Sequence, residues 1–408
     1  MSTATEYLAT APACTAPAHV KVEVHRDIGR VLAAWAELEA ITPASAYQTR
    51  AFVLAWLETL GAARKIEPLF VLARDRQEQV LALLCLGIER HGIFRSAGFL
   101  GGKESNFNFG LFRPGVNFTA ADILALLRAG AETLGPQAPD VFHLKNQPFE
   151  WERAQNPLAL LPHWPSASYA YATALRPDPD SFLASKLSRD TRKKLRKKEL
   201  RLCCLGAVAM IDNGAPDRGC RILDAFFAEK IARCKEQVIG ADFTHPSMRA
   251  FFDRLNAESR AGRPWFELYG LTLNDRVIAT YAGIVHRGQF SAMINSFDRG
   301  PEIAKSSPGD LLLMKLFVRQ CQRGVTSFDL GIGEARYKAA YCDIVIPLFD
   351  VVMGFGVKGR LFAAYLVLCT RLKRAIKQNR RILKVVRRIR CAFSRTPALA
   401  QSETPPSP

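Results

Sequence analysis

The sequence predicts a mixed α/β protein built from two similar domains in tandem. Three observations carry that expectation: the length, an internal repeat of strand and helix signals, and a proline-rich divide between the copies. A chain of 408 residues with 49% hydrophobic residues exceeds one ordinary core and can fill two. The repeat is legible in the order of its elements. In the first copy, Pro68–Ala73 reads as a strand, 74–79 as a polar turn, Val80–Ile88 as a buried partner strand, Asp122–Arg128 as a helix and Asp140–Leu144 as a returning strand. In the second copy, Phe266–Leu273 and Val277–Val285 flank the turn 274–276, Gln289–Phe297 follows, and a helix carrying Leu312, Leu313, Leu316, Phe317 and Cys321 on one face leads to Thr326–Leu330.

Each copy opens with helical signals, a stripe of Ile28, Val31, Leu32, Trp35 and Leu38 in one and of Ile222, Leu223, Phe226, Phe227, Ile231 and Cys234 in the other. The stretch Pro157–Pro179 divides them. The predicted organisation is a disordered tail over 1–19, a first domain over 20–165, a second over 166–357, a basic amphipathic helical segment over 358–395 and a disordered tail over 396–408.

A formal charge of +18 favours acidic partners: phosphate-bearing cofactors, nucleic acid or an anionic membrane surface. The first eighteen residues lack the basic and apolar regions of a signal peptide, so a cytoplasmic location is expected. The longest apolar stretch, Leu361–Cys369, falls short of the ~20 residues that cross a bilayer. Ten scattered cysteines without a CxxC pair fit a reducing compartment. Seven dispersed histidines offer no metal-ligand spacing, so no metal is expected.

Two segments carry chemistry. Lys305-Ser-Ser-Pro-Gly-Asp310 stands between a strand and a helix, where the first N–H groups of the helix lack internal partners. Gly309 permits close approach, Pro308 suits a helix start and Lys305 adds charge, so Lys305, Ser307, Pro308, Gly309 and Asp310 read either as a phosphate cradle or as an ordinary helix cap. Asp329-Leu-Gly-Ile-Gly-Glu-Ala-Arg-Tyr-Lys338 follows the end of an inner strand, where open α/β sheets bind ligands. There Asp329 or Glu334 is placed as general base, Tyr337 as the acid that protonates a leaving thiolate, and Arg336 and Lys338 as holders of a carboxylate or phosphate. The alternative is a turn whose carboxylates cap neighbouring N–H groups. Gly331 and Gly333 lack the third glycine of a dinucleotide fingerprint.

Two basic segments flank the second copy. Lys186–Arg201 carries nine Lys or Arg residues and reads either as a nucleic-acid contact or as a solvated helix face. The stripe of Leu372, Ile376, Leu383, Val386, Ile389 and Phe393 suits either an anionic membrane or the protein's own core.

Several of these stretches together resemble the GNAT-fold acyltransferases of the CelD-like, or cellulose-biosynthesis, type. They are Tyr47-Gln-Thr-Arg-Ala-Phe52 with Trp56, Ser188–Lys198, the Phe226-Phe227 helix, Ser307-Pro-Gly309, and Phe328-Asp-Leu-Gly331 through Tyr337-Lys338, in order across Val20–Phe355. The resemblance implies tandem GNAT-like domains and transfer from acyl-CoA or acetyl-CoA to an amine or hydroxyl acceptor, in exopolysaccharide, cellulose or envelope biosynthesis. The donor's pyrophosphate would rest at the Ser-Pro-Gly helix start. The usual GNAT loop follows Q/R-x-x-G-x-G/A, and Lys305–Asp310 departs from it. The tandem arrangement is also similar to Fem-type aminoacyltransferases, whose donor is aminoacyl-tRNA, and that donor stands as the alternative. A third expectation is a non-catalytic scaffold held peripherally at the inner membrane. The first copy offers Phe118-Thr-Ala-Ala-Asp122 where the second has Ser-Pro-Gly, so the first domain is expected to be structural.

Overall fold

The computed structural model describes residues 20–237, 241–261 and 265–379. Both predicted tails and residues 380–395 of the predicted basic segment lie outside the described residues. The chain divides into two compact units.

The first unit comprises residues up to Ser166 together with Ile346–Leu366. In chain order it holds β1 (Lys21–His25), α1 (Leu32–Ile41), α2 (Arg50–Trp56), β2 (Glu67–Arg74), β3 (Val80–His91), β4 (Phe94–Phe99), β5 (Leu111–Phe112), α3 (Ala120–Glu132), β6 (Val141–Pro148), β7 (Glu150–Trp151), β8 (Ala154–Gln155) and β9 (His163–Pro165). β1 to β4 form an antiparallel meander, β4 then pairs β6 in parallel at Ser96↔Val141 and Ala97↔Phe142, and α3 packs Ile123, Leu126 and Leu127 against the sheet.

The second unit comprises Ala167–Val345 and the chain from Val367. It holds β10 (Ala170–Ala174), α4 (Pro179–Lys186), α5 (Arg189–Cys203), β11 (Val208–Asp212), α6 (Pro216–Gln237), α7 (Pro246–Ala261), β12 (Phe266–Leu273), β13 (Arg276–His286), β14 (Gln289–Phe297), α8 (Pro301–Ala304), α9 (Pro308–Gln322), β15 (Ser327–Ile332), α10 (Arg336–Tyr341) and β16 (Ile344–Ile346). Its sheet runs β11-β12-β13-β14-β15-β10-β16. Successive residues of a strand face opposite sides. Leu271 lies in the core cluster with Leu312, Leu316 and Phe317 of α9, while a Cβ on neighbouring Gly270 would touch Ile222 of α6. Helices therefore cover both faces of the sheet, with α4, α5 and α9 on one side and α6 and α7 on the other.

β17 (Leu348–Gly354) and α11 (Gly356–Gln378) complete the described chain. β17 pairs antiparallel with β6 and β9, so it finishes the first unit's sheet, although the sequence places these residues in the second domain. The second sheet receives its equivalent strand from β10, which pairs antiparallel with β15. Each copy of the repeat thus takes the strand beyond its parallel pair from a segment remote from its own meander. β17 is anchored by Phe349, fully buried against Phe149 and His163.

Candidate active site

The second sheet opens between β14 and β15. These strands pair in parallel over only three rungs, Gln289↔Ser327, Phe290↔Phe328 and Ser291↔Asp329. Just beyond the last rung the β13–β14 register slips between Ala282↔Ile294 and Gly283↔Ala292, so Met293 is an extra residue on β14. A bulge of this kind bends its strand and sharpens the local twist. β15 meanwhile continues beside β10 as far as Ile332. The two strands therefore diverge, and the edge of β14 from Met293 to Phe297 has no neighbouring strand.

The start of α9 stands over the end of this gap. A Cβ on Gly309 would come 3.1 Å from the Phe297 ring, tighter than ordinary contact, so glycine lets the helix sit close to β14 without displacing that ring. Ser307 precedes the helix with φ 49° and ψ 61°, a left-handed conformation that is strained for a serine. Its carbonyl takes the N–H groups of Asp310 and Leu311, whereas the Gly309 N–H has no partner among the described residues. The Ser306 hydroxyl beside it is fully buried and likewise has none. Orphaned donors at a helix start are suited to an anion.

A cation already stands there. Lys198 of α5 donates to Ser307 Oγ at 2.7 Å and lies 3.9 Å from Asp310. Lys305 turns away from the cradle to pair with Glu302 at 2.8 Å, while its carbonyl accepts from Arg201 at 3.4 Å. The sequence gives Lys305 the role that Lys198 occupies. The signal for Lys198 is its spacing three residues after Leu195 and four before Leu202, both buried, which turns it toward the core side of α5.

At the inner end of the gap, Tyr337 of α10 lies close to Tyr281 and Asn295, which lie directly opposite each other on β13 and β14. Burial pushes both phenols above their ordinary range, so both hold their protons at neutral pH. Tyr281 and Asn295 sit in strands that read as core, which is why the sequence does not single them out. Glu334 is exposed at the mouth of the same loop. The Arg336 side chain lies outside the described residues. Cys342 follows α10 with its thiol pushed up to about 12, first by burial and then by Asp329, so it is no thiolate nucleophile at neutral pH.

Residues 189–339 match a family profile described as an acetyltransferase (GNAT) domain. The second unit carries a GNAT-like fold. The match runs from α5 into α10 and so includes Lys198, the cradle, both diverging strands and Tyr337. Among solved structures, the chain superposes on FemX with a TM-score of 0.55 at 11% identity, over 81% of this chain and 97% of that one, a likeness of fold. A tandem GNAT protein from the clavulanic acid biosynthesis pathway gives 0.49 at 11% identity, over 83% and 100%. L-PGS from Bacillus licheniformis gives 0.45 at 14%, over 81% and 98%. No curated protein matches in sequence.

The first unit repeats the sheet geometry of the second and then closes it. β4 and β6 pair over two rungs and part. The chain between them fills the space: Asn108 donates from its backbone to the Asn146 carbonyl at 3.2 Å and from its side chain to the Lys145 carbonyl at 3.0 Å, and β5 pairs with β3. The start of α3 is satisfied by a capping box, in which Thr119 Oγ1 accepts from the Asp122 N–H and the Asp122 carboxylate accepts from the Thr119 N–H.

Two residues assigned to chemistry by sequence flank the loop after β15, Asp329 within the strand and Lys338 in α10. Asp329 is fully buried and Oδ1 accepts the Gly331 N–H at 2.7 Å. Lys338 is buried with its ammonium donating to the carbonyls of Gly331 at 2.9 Å and Ile332 at 3.0 Å, over the Tyr171 ring. Burial holds its pKa below the usual lysine range, and Asp329 opposes that shift. Lys338 thereby ties α10 to the end of β15 and fixes the approach of Tyr337. Replacing Lys338 by Met leaves two buried carbonyls without a donor and is expected to cost about 2 kcal/mol in denaturant unfolding. Unchanged stability would contradict this role.

Proposed function

We propose that the second unit transfers an acyl group from an acyl-CoA thioester to an amine or hydroxyl, and that the first unit is structural. The observation that carries the proposal is the coincidence of the opened β14–β15 gap with an uncapped, lysine-flanked helix start. A pyrophosphate on the Ser307–Gly309 turn would meet the Gly309 N–H and the Lys198 ammonium, and a thioester arm laid along β14 would pair with backbone groups of the strandless edge from Met293 to Phe297. The filled gap and capped helix of the first unit support its non-catalytic role.

The chemistry is direct transfer. The acceptor's lone pair bonds to the thioester carbonyl carbon, the developing oxyanion draws on outward N–H groups of β14, and the C–S bond breaks. Tyr337 gives its proton to the departing thiolate, and Glu334 takes the acceptor's proton. Solvent returns the proton from Glu334 to Tyr337. Asp329, sequestered and engaged with Gly331, is less suited to the base role than Glu334. No metal is required by this scheme, and no cluster of metal-ligating side chains occurs among the described residues. An acceptor in exopolysaccharide, cellulose or envelope synthesis remains the reading of the CelD-like resemblance.

A specific observation keeps aminoacyl-tRNA as a second donor: Arg189, Arg192, Lys193 and Arg196 line an open groove at the start of α5, outside the core-facing side that holds Lys198. Calorimetric titration with coenzyme A separates the donors. Saturable binding is expected, weakened about tenfold in Lys198→Met and abolished in Gly309→Trp, whose side chain fills the cradle. A folded wild type that binds no coenzyme A overturns the thioester reading and moves the donor to charged tRNA.

We also propose a peripheral membrane contact through α11. Val357, Leu361, Tyr365, Leu368 and Leu372 recur at helical spacing and are 59–78% exposed, in a helix without a single acidic residue. No described helix is long and apolar enough to cross a membrane. Flotation with vesicles containing phosphatidylglycerol should capture the wild type and release Leu361→Ser/Leu368→Ser. Equal capture of both proteins, or of neither, would contradict the contact.

A further inference from the structure

The far side of β14 carries a cavity of about 230 Å³ in which α6 faces the end of the strand. Its walls include Lys230, Arg233 and Glu229 of α6 and Asn295 and Arg299 of the β14 segment. Asn295 also belongs to the Tyr281–Tyr337 cluster, so this cavity adjoins the point of transfer from the side opposite the α9 cradle.

Lys230 is the unusual group in it. The ammonium lies over two aromatic rings, 5.6 Å from Phe226 and 5.4 Å from Phe243, and has neither an ion-pair nor a hydrogen-bond partner among the described residues. The aromatic faces stabilise the charge in part, but all three N–H donors stay open. Burial, followed by repulsion from Arg233, holds its pKa below the ordinary lysine value. A partly desolvated cation without a counter-ion is costly, and an anion in the cavity would remove that cost. Among the described lining residues, Lys230, Arg233 and Arg299 accompany one carboxylate, Glu229. The volume lies below the ~300–1,000 Å³ of a site enclosing a drug-sized ligand, so it suits one headgroup rather than a whole acceptor.

We infer that this cavity seats an anionic group of the acceptor, a carboxylate or a phosphate, on Lys230 with Arg233 and Arg299, and so presents the acceptor's nucleophile beside Asn295. The inference rests on the transferase reading of the second unit and adds the acceptor's chemical class. Glu229 then lies on the same wall to receive a cationic or hydroxyl group of the same molecule.

The experiment is labelling of lysines in the intact wild type by an N-hydroxysuccinimidyl ester, read by peptide mass spectrometry at matched ionic strength. One sample contains inorganic phosphate, one succinate and one sodium chloride alone, and exposed Lys65 serves as the internal reference. Phosphate or succinate is expected to slow labelling of Lys230 about fivefold without slowing Lys65. Protection by phosphate alone identifies a phosphate-bearing acceptor, by succinate alone a carboxylate-bearing one, and by both the shared anion chemistry. Lack of protection by either anion overturns the inference, as does an Lys230 that is unreactive in chloride, since an open cavity leaves its amine accessible. Coenzyme A titration of the same sample keeps the two readings apart. Coenzyme A binding without protection removes the anionic acceptor alone, and protection without coenzyme A binding removes the thioester donor alone.

Discussion

One extra residue on one strand sets the geometry on which the site depends. Met293 interrupts the register of β14 against β13 immediately after β14 makes its last rung with β15. A regular β14 would continue beside β15 and consume the backbone groups that now line the gap. The bulge instead bends β14 away, and β10 pairs with the outer edge of β15, so the end of β15 is held by a strand on only one side. Everything assigned to transfer is arranged around that opening. α9 stands at its outer end through Gly309, Lys198 supplies charge there from α5, and the Tyr281–Asn295–Tyr337 cluster closes its inner end.

The two units show how small the difference is between an open site and a closed one. Both sheets place a meander beside a parallel pair that parts after two or three rungs, and both receive the next strand from elsewhere in the chain. In the first unit Asn108 binds the backbone of β6 where a ligand could otherwise lie, and Asp122 neutralises the start of α3. In the second, Ser307 and Asp310 hold the matching positions without a side-chain cap bond, and the Gly309 N–H of α9 remains available. The strained Ser307 is consistent with this difference: it holds a backbone conformation that a simple helix cap does not need.

The meanders were legible in the sequence because each strand pair is a continuous apolar run broken by a short polar turn, and the second helix of the repeat shows a clear apolar stripe. The strands contributed by β10 and β17 were not, because each is short and its partner is far away in the chain, so no local pattern records the pairing. That is why the predicted second domain includes β17, which the first sheet takes. Tyr337 and the Ser-Pro-Gly turn stood out as polar or special residues at element ends. Tyr281 and Asn295 did not, since the first reads as a core aromatic and the second as a strand interruption. Lys338 reads as a group for substrate, but α10 is short enough that its ammonium folds back onto Gly331 and Ile332. Lys230 was hidden by an apolar helix face whose Phe226, together with Phe243 beyond the helix, turns out to hold its charge.

Hydrogen exchange of the intact protein with and without coenzyme A tests the donor gap most directly. If a thioester arm pairs with the open edge of β14 and its pyrophosphate rests on α9, amides in Ala292–Phe297 and at Gly309 gain protection on binding, while the matching segment of the first unit, residues 94–99, does not change. Protection confined to the exposed face of α5, or equal protection in both units, would contradict the account.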